Sequence, residues 1–200
     1  MDIRQATEQD VDAIVAVHLA AFNGFFLTML GPSFLRGLYR AFLHRQHGIL
    51  RVAVSSENTI VGFAAGTSAP QLFFSQLRKD KWFSFLLRAI PGMLKNPVIV
   101  VKKLYYAAFY KGDRPASLSD VALLSSIAVS PDMAGKAGGK ALLADYEQQV
   151  KAAELPALFL TTDKFGNDNV VAFYQRAGYQ IESEFTQPDG RQMLRLIKYF

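Results

Sequence analysis

The sequence predicts an α/β fold: a mixed sheet with helices packed on it. Three observations lead there. Strands alternate with helices through the second half of the chain, a pattern that builds sheets covered by helices. Apolar runs of period two, bounded by polar turns, are interspersed with runs of helical period. Half of the 200 residues are hydrophobic and 20% are charged, enough for one sizeable core in one domain, taken as 1–200.

Taken in order, Asp2 to Ala6 reads as a short first strand. Glu8 to Phe22 reads as a helix capped by Thr7, with Val11, Ile14, Val15, Val17 and Leu19 at helical spacing. Thr28 to Gly31 reads as a turn. Pro32 opens a second helix whose buried stripe is Phe34, Leu35, Leu38, Tyr39, Phe42 and Leu43, and Gly48 ends it. Leu50–Ser55 and Thr59–Thr67 form a hairpin around Ser56, Glu57 and Asn58. Later strands fall at Val121–Val129, Ala157–Thr162, Gln180–Thr186 and Gln192–Tyr199, the last hairpin turning at Pro188, Asp189 and Gly190. Before the fourth strand, Ala69 to Asp120 is too long for a plain connection and too apolar for a disordered one. It reads as two or three amphipathic helices broken at Pro91 and Pro97.

Composition narrows the chemistry. The chain has no cysteine, which removes disulfides, a thiol nucleophile and thiolate metal ligands and is compatible with a reducing cytoplasm. The N-terminus MDIRQATEQD is too polar and acidic for a secretory signal. The most apolar stretch, Trp82 to Tyr110, is interrupted by Arg88, Pro91, Lys95, Pro97, Lys102 and Lys103, so no membrane span is expected. The net charge of +5 is unevenly placed: between Gln71 and Leu118 nine basic residues face two acidic ones, a local +7 that leaves about −2 elsewhere.

The functional signal lies between Leu123 and Tyr179. A strand (LLSSIAVSP) runs into a glycine-containing turn (DMAGKAGGKALL) that feeds a helix. Such a turn exposes unpaired backbone N–H groups at the positive end of a helix dipole, a setting for an anionic phosphate. Downstream, Asn167 precedes the pair Phe173-Tyr174, with Ala177-Gly178-Tyr179 soon after.

With these two motifs in order and a β-α-β unit between them, the chain resembles the GCN5-related N-acetyltransferase (GNAT) superfamily over nearly its whole length. The resemblance implies a mostly antiparallel central sheet flanked by helices, with a helical insert before the fourth strand. It implies acetyl-coenzyme A, or another acyl-CoA, as co-substrate and no metal. In the family an Arg/Gln-x-x-Gly-x-Gly/Ala loop holds the pyrophosphate on its backbone amides. Here Ala134 stands where Arg or Gln is usual, Ala137 where the first Gly is usual, and Gly139 in the last position. Gly135 and Gly138 keep the turn glycine-rich but out of phase, and Lys136 or Lys140 supplies positive charge. The family's Asn-x-x-Ala-x-x-Phe-Tyr-x-x-x-Gly-Phe is similar to the run from Asn167 to Tyr179. It implies that Asn167 contacts the coenzyme arm and that Tyr174 protonates the leaving thiolate.

Acyl transfer from a thioester needs a deprotonated amine, a polarised carbonyl and a protonated leaving sulfur. The resemblance implies direct attack in a ternary complex. Ile127, Ala128 and Val129 are then expected to line the cofactor, with a backbone N–H near Ala128 or Val129 polarising the carbonyl. Tyr174, with an ordinary pKa of about 10, is protonated at neutral pH and able to donate. For the base, Asp120 at the start of the fourth strand is the first candidate, although a charge there also suits a water-facing strand end. Ser125 or Ser126 orienting a water is the alternative. His18, His44 and His47 read as surface residues, on or beside helices that border the acceptor site in the family.

The basic insert admits three readings. It can build the acceptor pocket for a small-molecule amine, its cations favouring an anionic amino sugar or nucleotide sugar. The segment FFLTMLGPSFLRGLYRAFL is also similar to acyltransferases acting on amino sugars or small amines. It can be a peripheral membrane or partner-docking surface. Or the chain is a degenerate relative that binds acyl-CoA as a regulatory or interaction module. No nucleic-acid recognition motif accompanies the basic residues, and a homodimer is left open.

Overall fold

The computed structural model describes residues 1–79, 120–133, 138–187 and 190–200. The helices expected around Pro91 and Pro97, the turn residues Ala134, Gly135, Lys136 and Ala137, and the turn pair Pro188-Asp189 lie outside the described residues.

Strand β1 (Asp2–Gln5) is followed by a single 3-10 turn (Glu8–Asp10) and helix α1 (Val11–Ala21). The expected cap at Thr7 takes a tighter form. The Thr7 backbone N–H donates to Asp10 Oδ2 at 2.7 Å and its hydroxyl to the same oxygen at 2.8 Å, while Arg4 grips Asp10 at 2.7 and 2.9 Å. That pairing holds the Asp10 carboxyl at about 2, chiefly through Arg4.

The segment read as a turn at Thr28–Gly31 instead begins as a short helix, α2 (Phe26–Met29). Helix α3 (Pro32–His44) starts at Pro32 as expected, but it ends at His44. Gly48 opens strand β2 (Gly48–Val54) rather than closing a helix. A Cβ on Gly48 would sit 2.2 Å from the carbonyl oxygen of Phe42, so only glycine lets the chain turn back that closely.

Strand β3 (Ile60–Thr67) completes the hairpin around Ser56–Asn58, and helix α4 is described over 70–79. Then come β4 (Ala122–Val129), a 3-10 turn (Pro131–Met133), α5 (Gly138–Ala152), β5 (Ala157–Asp163), α6 (Asp168–Arg176), β6 (Gln180–Thr186) and β7 (Gln192–Tyr199).

The seven strands form one sheet in the order β1-β2-β3-β4-β5-β7-β6. Every neighbouring pair is antiparallel except β4 with β5. Period-two alternation sends side chains to two cores. Leu50, Val52, Phe63, Ala65 and Ala128 pack with α1, α3 and α4 on one face, around Ile14, Leu35, Tyr39, Phe42 and Phe73. Ala64, Ala122, Leu124, Leu158, Leu160 and Leu196 pack with α5 and α6 on the other, around Leu142, Leu143, Tyr146 and Tyr174. The parallel β4–β5 pair, bridged by α5, is the one place where the sheet's two antiparallel halves meet.

Candidate active site

Strands β4 and β5 pair only at Ala122↔Leu158 and Leu123↔Phe159. Beyond that point they part. β4 stays with β3 as far as Val129, and β5 stays with β7 as far as Asp163, so the sheet opens between them.

The opening has a local cause. Ala65 pairs with Ser126 and Gly66 with Leu124, which leaves Ser125 as an extra, bulged residue on β4. Two features fix the bulge. The Tyr146 hydroxyl, buried on α5, donates to the Leu123 carbonyl at 2.9 Å. Gly66 lies so close that an added Cβ would stand 2.0 Å from the same carbonyl oxygen.

Past the bulge, Ser130 donates its backbone N–H to the Val61 carbonyl at 2.8 Å. Successive residues of a strand turn their amides to alternate sides. The amides of Ser126 and Ala128 therefore face β3, and those of Ile127 and Val129 face the opening. Of the two positions expected to present a carbonyl-polarising amide, Val129 has the right direction, as has the neighbouring Ile127, whereas the Ala128 amide faces β3 and its methyl is buried in the core with α1 and α3.

Helix α5 begins at the wide end of this opening. Ideal Cβ atoms on Gly138 and Gly139 would lie 3.4 and 4.0 Å from the Val129 side chain, and the one on Gly139 would lie 3.8 Å from Phe173 of α6. The start of α5, the end of β4 and the Phe173 ring of α6 thus converge. The first turn of α5 carries Lys140 and no acid, so no acidic side chain of that turn offsets the positive end of its dipole. Asn167 precedes α6, and its side-chain amide donates to Thr162 Oγ1 on β5, which fixes it on the far wall. Thr162 was not singled out in the sequence, because nothing local distinguishes it from any strand threonine.

Tyr174 is buried in the α5–α6 core, edge-on to Phe173 at 5.1 Å and to Tyr179 at 5.5 Å. Burial raises its pKa, so the phenol is held protonated. Asp120 is exposed and precedes the closed end of β4, roughly 30 Å of strand from Val129 at ~3.3 Å per residue, so the structure does not bring it to the opening.

The histidines divide. His44 is exposed and pairs with Glu8 at 2.8 Å, and His47 contacts Ser68 at 3.3 Å. His18 corrects the surface reading: it is 2% exposed, its Nδ1 lies 2.6 Å from the Tyr39 hydroxyl, and burial lowers its pKa to about 4. The signal was present, since Val11, Ile14, Val15 and His18 follow the helical stripe spacing.

Among the described residues there is no group of three or more metal-ligating side chains, and no helix is long and apolar enough to cross a membrane.

Comparison with known proteins agrees with this geometry. Among solved structures, a ribosomal-protein-alanine N-acetyltransferase from Brucella melitensis superposes with a TM-score of 0.64 at 16% identity, covering 100% of both chains. The ribosomal-protein-S18-alanine N-acetyltransferase of Escherichia coli gives 0.61 at 13%, covering 99% of this chain and 92% of that one. A protein of Bacillus anthracis assigned as a streptothricin acetyltransferase, bound to acetyl coenzyme A, gives 0.53 at 15%, over 81% and 68%. At these identities the likeness is one of fold. No curated protein sequence matches. A model of the Acetyltransferase (GNAT) family, however, matches residues 19–179. With a sheet opened between β4 and β5 and a helix N-terminus at the mouth of the opening, the chain belongs to the GNAT family and is an N-acetyltransferase of that type.

Proposed function

We propose that the enzyme moves an acetyl group from acetyl-CoA to the primary amine of a small anionic molecule, an amino sugar or nucleotide sugar, by direct attack in a ternary complex. The observation that carries this reading is the β4–β5 opening, into which the Ile127 and Val129 amides point and at whose end α5 begins.

The donor set fits acetyl-CoA. Free amides around Gly138, Gly139 and Lys140 suit a pyrophosphate, and outward amides on β4 suit an amide-bearing arm and a thioester carbonyl. Backbone donors do not depend on side-chain identity, so Ala134 and Ala137 in the signature positions are compatible with phosphate binding. Asn167, anchored by Thr162, would steady the arm from the β5 side.

In the reaction a β4 amide stabilises charge developing on the carbonyl oxygen. Tyr174 gives its proton to the leaving sulfur. Burial favours the neutral phenol, so the proton to be donated is present at neutral pH. The preference for an anionic acceptor rests on the local +7 between Gln71 and Leu118. The proposal includes a cytoplasmic location, where acyl-CoA is supplied.

Three measurements test it. Acetyl-CoA should raise the melting temperature, because a ligand that binds only the folded state stabilises it. A panel of amines followed by coenzyme A release should favour phosphorylated amino sugars, and a preference for peptide or neutral amines would reject the acceptor class. Tyr174→Phe should lower kcat roughly 100-fold, within the range for loss of a general acid, with acetyl-CoA affinity little changed. An unaltered kcat would remove Tyr174 from the mechanism.

A further inference from the structure

Of the two strands that bound the opening, β4 (ALLSSIAV) carries no ionisable side chain and β5 (ALFLTTD) carries one, Asp163. Acyl transfer needs a proton acceptor for the amine, and Asp120 lies at the closed end. Asp163 lies at the open end. Four residues past the Leu123↔Phe159 pair, and with the bulged Ser125 discounted, it stands level along the strands with Ala128, between the outward amides of Ile127 and Val129.

The face it occupies follows from alternation. Leu160 and Thr162 stand opposite Leu196 and Leu194, which belong to the core under α5 and α6. Phe159 stands opposite Ile197 in the core on the other face, where Phe74 of α4 packs. Asp163 falls in phase with Phe159 and faces away from α5 and α6. The adjacent residues Thr162 and Asp163 thus serve opposite faces of one opening. Thr162 holds Asn167 on the side read as the coenzyme side. Asp163 is left on the side from which an acceptor can reach the same gap.

Its surroundings leave the carboxylate available. Lys164 is engaged with Glu184 at 2.6 Å, and Arg195 with Glu182 at 3.0 Å and the Ser183 hydroxyl at 2.7 Å. Arg191 Nη1 lies 3.4 Å from Asp163 Oδ1, while Nη2 donates to Gln187 Oε1 at 2.7 Å. A pair this long adds little to stability when its side chains are 40% and 30% exposed. Among the described residues Oδ2 has no partner.

We propose that Asp163 is a catalytic residue, the proton acceptor for the acceptor amine. This role rests on the acyl-transfer reading above. The acceptor's ammonium docks on the carboxylate and gives one proton to Oδ2. The neutral nitrogen attacks the thioester carbon. The nitrogen–carbon bond forms, the carbon–sulfur bond breaks, and sulfur takes the Tyr174 proton. The nitrogen loses its second proton to water as the amide forms, and water returns one to Tyr174. Asp163 sheds its own proton through its exposed edge, so one proton leaves per turnover.

The test compares Asp163→Asn with the unaltered full-length enzyme, using acetyl-CoA and three nitrogen nucleophiles. Two arrive as ammonium ions, glucosamine 6-phosphate and a peptide with a free N-terminal alanine. The third, hydroxylamine, is neutral at neutral pH and has no such proton to lose before attack. Asparagine keeps the shape of the side chain and cannot take the proton. At neutral pH the variant should lose about 100-fold in kcat/KM with the better of the two amines, within the range for a missing general base. With hydroxylamine the loss should stay below about threefold, and at about pH 9.5 the loss with the amine should narrow to less than about tenfold, because solvent then supplies the free amine.

The acetyl-CoA-induced rise in melting temperature should be the same in both proteins. If the unaltered enzyme shows no such rise, or releases coenzyme A with neither amine, the acyl-transfer reading fails. If rise and release are normal, two results overturn the role of Asp163 alone. One is an unchanged kcat/KM in Asp163→Asn. The other is a loss equal for all three nucleophiles and at both pH values, the mark of a purely structural contact with Arg191.

Discussion

His18 ties stability to pH through one buried side chain. Its folded pKa is about 4, against an ordinary 6.5, because burial disfavours the imidazolium, and Tyr39 is the titratable group facing it. Between those values the unfolded chain binds a proton that the folded chain does not, so stability falls as pH drops through the window and is whole above 6.5. By pH 5 the loss from this residue should be about 2 kcal/mol. Denaturant unfolding at pH 7 and pH 5 measures it; in His18→Asn the difference between the two should shrink by that amount. Gly66 makes a steric demand instead. Its missing Cβ leaves room for the Leu123 carbonyl and the Tyr146 hydroxyl, which an added methyl would approach to 2.0 and 2.3 Å. Gly66→Ala should cost on the order of 3 kcal/mol, the upper range for overpacking, and should weaken acetyl-CoA binding as well, because the bulge that opens the sheet would have to move. A variant with native melting temperature and native donor affinity would show the bulge to be independent of this contact. Stripe spacing puts His18 on the buried face of its helix but does not name its partner, and nothing local marks Gly66. A glycine within a strand and a histidine on a helix stripe are ordinary, and only their neighbours across the sheet give them meaning.

Among the elements, α5 carries the donor chemistry we propose. Its stripe of Leu142, Leu143, Tyr146 and Val150 anchors it to the sheet, while its first turn holds Gly138, Gly139 and Lys140 beside Val129. Gly139→Asp would put a negative charge on the amides read as a pyrophosphate cradle. It should raise the acetyl-CoA KM at least tenfold and leave the melting temperature without ligand within a few degrees, since the position has no close side-chain packing. An unaltered KM would move the phosphate site elsewhere. The long helices were legible because each shows several turns of periodic burial. The four residues of α2 were not, because one turn gives too little period to read. Strand β2 begins at Gly48, two residues before the expected start at Leu50, because pairing with Thr67 and Gly66 carries it back over Gly48 and Ile49.

Over the whole molecule, charge is the property that sequence conveys best. The excess of +7 between Gln71 and Leu118 is local, so it should act on the acceptor through a screened field. Raising ionic strength from about 0.05 to about 0.3 M should increase KM for a phosphorylated acceptor several-fold and barely affect that for a neutral amine; equal salt dependence for both would show that the cations do not face the acceptor. The order of strands and long helices along the chain, the hairpins and the GNAT resemblance were legible in local patterns: apolar period, turn residues, and two motifs separated by a β-α-β unit. Tertiary structure alone decided where β4 leaves β5, which amides face the gap, that Asp120 sits at its closed end, and that Tyr39 is the partner His18 meets. The reason is physical. Periodicity and motif spacing depend on neighbours along the chain, whereas a bulge, the side to which an amide points and the partner of a buried nitrogen depend on residues brought together across the sheet, and no local pattern encodes those meetings.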